Sequence, residues 1–205
     1  MAIQISTDTE LSAVNSILGS IGQAPITSLA GTALQNPEIS FIKNLLDEVN
    51  KDVQSIGWHF NSAYKVKQSP DTNGNYIVPA NAILYDISEG QIDRRTNVVK
   101  RDGKLFDLVH QTDVFTQDYY FDTISLLQFT DVPPSIQRYI IARASVRAAT
   151  QLVSNADLVK LLKLEETQAR ANAMNYETEQ GDHNFMGWPD DTLYRPYQPY
   201  KALIR

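Results

Sequence analysis

The spacing of the hydrophobic residues changes twice along this 205-residue chain, and these changes limit the folds that it can adopt. From about residue 9 to residue 56, apolar side chains recur every three or four positions, which is the period of an amphipathic helix. From Trp58 to about residue 130 they alternate with polar side chains, as in half-buried strands. From Pro134 to about Gly181 the helical period returns. The predicted order is therefore helices, strands and helices.

The first predicted helix spans about residues 9–21. Thr7 and Glu10 have the spacing of a capping box, in which each side chain binds a backbone N–H at the start of a helix. Gly22 suits the left-handed conformation that ends many helices, and Pro25 cannot continue one. We therefore expect Thr7, Glu10 and Gly22 to have structural roles.

The second predicted helix is the most clearly amphipathic one. It begins at Asn36 and Pro37, a cap followed by proline at the first helical position, and ends at Gly57. Two further helices are expected over about residues 134–154 and 155–181. The apolar positions of the last helix are Leu158, Leu161, Leu162, Ala169, Ala173 and Met174.

Residues 58–130 are predicted to form a β-rich block between the second and third helices. The predicted strands begin near Trp58, Tyr76, Ile83, Val98 and Tyr119. The fourth of these belongs to a hairpin, because Asp102 and Gly103 suit a type I′ turn between two strands. The last is expected to continue to Phe129.

The simplest architecture for this order is an α+β fold, with an antiparallel four-helix bundle and a β-rich insertion between helices 2 and 3. Residues 1–57 and 131–181 would form the helical domain and residues 58–130 the inserted domain. Residues 182–205 would form an extended C-terminal arm. Gly57 and Trp58 would mark the junction between the first two units.

The expected arm is rich in both aromatic residues and proline. It contains Trp188, Tyr194, Tyr197 and Tyr200, with three prolines in the same segment. The prolines exclude a regular helix or central strand, while the aromatics exceed what disordered segments usually carry. Two placements remain open: the arm folds back onto its own helices, or its aromatic side chains anchor on a neighbouring protein.

Charge and composition narrow the class of protein. The net charge is −6, so a grip on DNA through phosphate neutralisation is not expected, whereas a non-adhesive wall past which DNA slides is compatible. There are no cysteines, which excludes disulfides and thiolate metal sites. The start of the chain lacks the features of a signal peptide, and no apolar run approaches the ~20 residues of a membrane span. We expect a soluble protein made in the cytoplasm, with no membrane contact.

The sequence contains no convincing catalytic motif. The three histidines, His59, His110 and His183, have no metal-ligand spacing, and no phosphate-binding loop or nucleophile elbow is present. We predict no catalytic residues, no metal and no cofactor. The alternative function is glycan hydrolysis, which needs two carboxyl groups. The adjacent pair Glu165–Glu166 is better explained as a solvated helix face, and Asp190–Asp191 lies in a proline-flanked loop. A carboxylate of the Asp182–Asp191 segment or of the β-rich block would have to carry out the reaction.

Basic residues cluster weakly around the predicted hairpin. They are Arg94, Arg95, Lys100, Arg101 and Lys104. A mixed-charge edge that discourages the addition of a further strand is the simpler explanation. An electrostatic contact of Arg94 and Arg95 with a partner protein is the alternative.

Several segments resemble the tail tubular protein A family of short-tailed bacteriophages, the podoviruses. They are Glu10–Leu29, Val49–Asn61 with its Gly-Trp step, the opening of the third helix from Asp131, and Glu165–Asn184. Together they cover all four predicted helices and the start of the β-rich block.

The resemblance implies a structural virion protein rather than an enzyme. Family members form a head-to-tail adaptor ring, usually twelvefold, beneath the portal of the phage head. The ring joins the portal to the tail nozzle protein, of the tail tubular protein B type, and tail fibres attach nearby. DNA passes through the lumen during ejection without specific binding. The expected partners are thus further copies of the chain, the portal, the nozzle and the fibre.

Overall fold

A computed structural model describes residues 9–30, 36–88 and 96–181. The four α-helices are α1 Glu10–Ser20, α2 Pro37–Gln54, α3 Pro134–Ala148 and α4 Ala156–Gly181. The five strands are β1 Ser62–Gln68, β2 Ala82–Ile87, β3 Val98–Arg101, β4 Lys104–Asp107 and β5 Tyr119–Ser125. Single turns of 3₁₀-helix cover His59–Asn61 and Phe129–Asp131. Within the described ranges, no helix combines the length and apolarity needed to cross a bilayer.

The cap of α1 differs from the one predicted. Thr9 is the N-cap residue, and its side chain accepts a hydrogen bond from the backbone N–H of Ser12. Thr7, the predicted cap, lies outside the described residues. Glu10 forms a salt bridge of 3.2 Å with Lys43 of α2, so it joins two helices. Gly22 adopts a φ of +79°, the left-handed conformation expected at a helix end.

The four-helix bundle with a β-rich insertion is wrong as an architecture, although the α+β class holds. α3 lies at the centre and packs against α1, α2 and α4, but α4 packs mainly against α3 and has no extensive contact with α1 or α2. Ala173 is the one fully buried residue that α4 adds to the helical core. The helical core is therefore built by α1, α2 and α3, and α4 lies along its outside.

The strands form two small antiparallel sheets and not one β-block. β5 lies between β1 and β2 in the first sheet, while β3 and β4 form a separate hairpin. A second hydrophobic cluster fills the space between them; it consists of Tyr76, Val78, Val98, Leu105, Phe115, Tyr119 and Phe121. Tyr76 contacts Phe121 edge to face, with ring centroids 5.0 Å apart, at the centre of this cluster.

The hairpin turn was predicted correctly. Asp102 and Gly103 have φ values of +48° and +77°, so both central residues have the positive φ that a type I′ turn needs. Arg101 pairs with Lys104 directly across the turn. By contrast, Tyr76–Val78 forms only an isolated bridge at Ile77, and the last strand ends at Ser125 instead of Phe129.

Trp58 does not begin a strand. Gly57 ends the α2 region with a φ of +80°, and the chain then makes a 3₁₀ turn before β1. The buried Trp58 indole donates from Nε1 to the Val53 carbonyl at 2.7 Å, which folds it back onto α2. Asn61 fixes the turn: its Oδ1 accepts from the Trp58 N–H at 2.8 Å, and its Nδ2 donates to the Gln54 carbonyl at 3.0 Å.

The third helical segment ends near Ser154 as predicted, although its last turn is not α-helical. A π-helical turn covers Ala149–Val153, and Ser154 then adopts a left-handed φ of +55°. Asn155 starts α4 as expected, because its Oδ1 accepts from the backbone N–H of Asp157 at 3.0 Å. This corner lets α4 return along α3.

Candidate interaction surface

Few residues of α4 are buried, although it is a long helix. Its buried residues are Leu162, Glu166, Ala173 and Gly181, out of 26 residues in the helix. The helix thus presents most of its circumference to solvent while only one narrow stripe packs on α3. A helix held this way offers a large surface to neighbouring molecules.

Two leucines lie on the outer side of α4. Leu161 is 63% exposed and Leu164 is 68% exposed. Ala173 follows Leu164 by nine residues, which at 3.6 residues per turn places the two on opposite sides of the helix. Since Ala173 is buried against the core, Leu164 points directly away from it.

Further apolar side chains lie at the same end of α4. Leu152 and Val153, in the π-helical turn before the helix, are 42% and 40% exposed. A single exposed leucine needs no explanation, whereas a patch of several large apolar residues is typical of a protein-contact surface. These four residues lie close together in sequence, on both sides of the turn that leads into α4. We call Leu152, Val153, Leu161 and Leu164 the corner surface.

The sequence predicted Leu161 and Met174 to line the packed face, and this was wrong. Met174 is 49% exposed and Leu161 lies on the outer side. Helix α4 carries leucines on more than one side, so no single stripe could bury all of them. That surplus is the signal in the sequence that could have revealed the corner surface.

Glu165 and Glu166 do not face one another. Glu165 lines a groove of about 520 Å³ between α1, α3 and α4, together with Arg138 and Asn172. Glu166 lines a different cleft and is buried, so the predicted solvated face was wrong for this residue. Its carboxylate pairs with Lys163, whose side chain is 62% exposed.

The histidines of the described ranges make no metal site. His59 is exposed as predicted, and its backbone N–H donates to the Glu177 carboxylate at 2.7 Å. His110 is held by the buried Asp107 through Nδ1. No group of three or more acidic or histidine side chains within residues 9–30, 36–88 and 96–181 has the arrangement of a metal site. His183 lies outside these ranges.

The residues predicted to bind partners are not among those described. Arg94 and Arg95 fall in the gap between residues 88 and 96, and Trp188, Tyr194, Tyr197 and Tyr200 fall after Gly181. Their roles stay predictions. Of the other basic residues near the hairpin, Arg101 lies over the Phe106 ring at 4.1 Å.

The free edge of β1 is poorly suited to pairing with a further strand. A bulge interrupts its pairing with β5 between Ala63 and Val66, and Lys65 there has a φ of +54°. The Lys65 N–H donates to the Asp122 carboxylate at 2.9 Å. Bulges and charged residues hinder the addition of a strand, so the corner surface of α4 is the better candidate for protein contact.

The sequence model of the tail tubular protein family matches residues 11–183. Of the described residues, this range includes the five strands and the four helices except Glu10, the first residue of α1. The chain belongs to this family. A comparison with curated proteins gives no match. As a tail tubular protein, it is a structural component of the bacteriophage virion, located in the tail, where it assembles with other virion proteins. The resemblance predicted from the sequence is confirmed.

Proposed function

We propose that this tail tubular protein is a subunit of the head-to-tail adaptor ring of a short-tailed phage. In this role it joins the portal to the nozzle protein, forms a lumen through which DNA passes, and lies near the attachment site of the tail fibres. Twelve copies would form the ring, and the C-terminal aromatic residues would reach an adjacent protein. Family membership supports the proposal, and the corner surface is the structural observation that carries it.

A ring subunit needs two different lateral surfaces, because neighbours in a closed ring meet head to tail. The exposed leucines of the corner surface provide one of them. Burial of Leu161 and Leu164 against a neighbour would remove apolar area from water, which drives most protein association. α4 is suited to this position because it lies outside the three-helix core.

Assembly on the portal tests the proposal. Purified portal rings are mixed with the protein, and native mass measurement with negative-stain imaging shows whether a second ring forms and how many subunits it contains. A stacked ring is expected. A folded protein that does not associate with the portal would overturn the adaptor role; a monomer in the absence of portal would not, since the portal can act as the template.

The contribution of the corner surface is tested in the same assay. The double substitution L161E/L164E is expected to prevent ring formation, because it places two charges in an apolar contact. The control is I77E/V109E, which changes two equally exposed apolar residues, 65% and 54% exposed, on the hairpin side of the molecule. Equal loss in both variants would show that the corner surface has no special role.

Glycan hydrolysis is the alternative function. It requires two carboxyl groups that face one substrate across a cleft. Glu165 and Glu166 line different grooves, and Asp190 and Asp191 lie outside the described residues, so nothing in the described geometry favours it. Release of cell-wall fragments by the purified protein, lost on substitution of these acids, would support this alternative.

A further inference from the structure

A cleft between α3 and α4 collects basic side chains in a protein whose net charge is −6. Its volume is about 360 Å³. Arg143 and Arg147 line it from α3, one helical turn apart, and Lys163 and Arg170 line it from α4. We call these four residues the basic cleft.

Two of the four cations already have carboxylate partners. Arg147 bridges to α2, where it contacts Glu48 at 3.0 Å and Asp52 at 2.6 Å. Lys163 pairs with the buried Glu166 inside the cleft. Glu48 and Asp52 lie on α2 outside the cleft, so Glu166 is the one carboxylate among the residues that line it.

The other two cations lack such partners. Arg143 donates from Nη1 to the Tyr139 hydroxyl at 3.2 Å, a neutral acceptor. Among the described residues, this leaves most of the five donors of its guanidinium unused. Neither Arg143 nor Arg170 forms a salt bridge with any residue of the described ranges. Arg143 is half-buried and Arg170 is exposed, so one guanidinium lies inside the cleft and the other at its rim.

We propose that the basic cleft binds the carboxylate side chains of an acidic segment of another protein, with Arg143 and Arg170 as the principal contacts. A guanidinium presents its donors as a planar fork that matches a carboxylate with two parallel hydrogen bonds. The concave shape excludes part of the surrounding water, which strengthens such pairs compared with those on an open surface.

A peptide fits this site better than nucleic acid does. A volume of about 360 Å³ accommodates one or two acidic side chains but not a duplex. The overall negative charge of the chain repels a long polyanion such as DNA, whereas a short acidic segment interacts mainly with the local positive charge. Binding of an acidic segment by the basic cleft follows from these charges and does not depend on the adaptor ring.

Binding of a fluorescently labelled oligoglutamate peptide tests the proposal, with anisotropy measured on the full chain over a range of salt concentrations. The test variant is R143Q/R170Q. The control is R138Q/K100Q, which also removes two positive charges but from exposed positions outside the cleft. Circular dichroism and thermal unfolding establish that both variants are folded.

Wild type and the control are expected to bind the peptide with similar affinity, and R143Q/R170Q to bind at least about tenfold more weakly. The charge-preserving R143K/R170K should fall between them, since lysine keeps the charge but loses the fork. Equal weakening in test and control variants would overturn the proposal, as would failure of the wild type to bind the peptide.

A labelled DNA duplex and inorganic phosphate are measured in parallel. Duplex binding that is tighter than peptide binding and lost in R143Q/R170Q would show a nucleic-acid site and overturn the proposal. Inorganic phosphate is expected not to displace the peptide at concentrations at which other salts have no effect. If it does, the proposal is contradicted, because the site would then prefer a small phosphate anion.

Discussion

Gln54 and Leu127 are joined by two hydrogen bonds that connect the end of α2 to the chain leaving β5. The Gln54 amide donates from Nε2 to the Leu127 carbonyl at 2.9 Å, and the Leu127 N–H donates to Oε1 at 2.8 Å. Gln54 is fully buried, so water cannot replace the hydrogen bonds that its side chain makes. The same Nε2 also donates to Asn50 at 2.9 Å. These bonds fasten the first sheet to the helical core.

The substitution Gln54→Ala is expected to lower the free energy of unfolding by about 3 kcal/mol, because both backbone groups of Leu127 lose their partners in a partly buried site. Urea unfolding measures this change. Gln168→Ala is the control: its amide donates to Asn172 at the surface, and its loss should cost less than about 0.5 kcal/mol. Similar values for the two variants would show that the buried bonds are not critical.

Gly57 allows α2 to turn sharply where the chain passes Ile124 of β5. A Cβ atom at Gly57 would lie 2.7 Å from the Ile124 Cδ1 atom, at a φ of +80°. Gly22 has nearly the same φ, +79°, but no atom lies within 4 Å of its hypothetical Cβ. Gly22→Ala is therefore expected to cost about 1 kcal/mol from conformation alone, and Gly57→Ala clearly more, measured by urea unfolding.

Ile124→Val separates the two contributions at Gly57, since it removes the Cδ1 atom. If the close contact matters, Gly57→Ala should be less destabilising in the Ile124→Val background than in wild type. Strict additivity of the two substitutions would mean that backbone conformation explains the whole cost.

The sequence predicted local structure better than it predicted packing. The Asp102–Gly103 turn and the Asn155 cap were found because they depend on neighbours within a few residues. The bundle was wrong because helical periodicity shows that a helix has an apolar side but not which helices share it. Leu161 illustrates this: it has the spacing of a core residue, yet it is 63% exposed.

The burial of polar residues was also not predicted from the sequence. Gln54 was not singled out, since glutamine is usually exposed and its partner Leu127 lies 73 residues away. Glu166 is predicted to lie on a solvated face because adjacent helix residues do not converge on one point, yet it is buried where α4 returns along α3. The basic cleft depends on the return of α4 along α3, which no pattern within one helix specifies.

Stability at low pH should depend on Asp107. Burial raises the pKa of this carboxyl, but hydrogen bonds from His110 and from the backbone N–H of Val109 and Asn97 outweigh burial and hold the pKa below 3.8. Because the folded pKa is the lower one, the carboxylate stabilises the fold above about pH 4, and this contribution is lost as the pH falls through the folded pKa.

Asp107→Asn should therefore lower the free energy of unfolding near neutral pH and flatten its dependence on pH below about pH 4. Urea unfolding over a pH series measures both effects. Asp113→Asn, which removes a carboxylate that forms no hydrogen bond with the described residues, is the control for the loss of one acidic side chain. An unchanged slope in Asp107→Asn would contradict the assignment.

The phenol of Tyr85 should ionise at a higher pH than an ordinary tyrosine. Burial, followed by the charge on Tyr76, raises the pKa of its phenol to about 12. Its hydroxyl donates to Gln68, and its ring stacks on Phe121 with centroids 4.6 Å apart. The neutral phenol therefore contributes stability below about pH 10, and this contribution is lost as the pH rises towards 12, because the unfolded chain ionises first.

Tyr85→Phe keeps the ring stacking but has no phenol to ionise. We expect it to reduce the last phase of tyrosinate absorbance in an alkaline titration and to weaken the decline in unfolding free energy above about pH 10. Tyr64→Phe is the matched control, since it removes a phenol that is 63% exposed. A late phase that is reduced by Tyr64→Phe but not by Tyr85→Phe would show that burial does not control the ionisation of Tyr85.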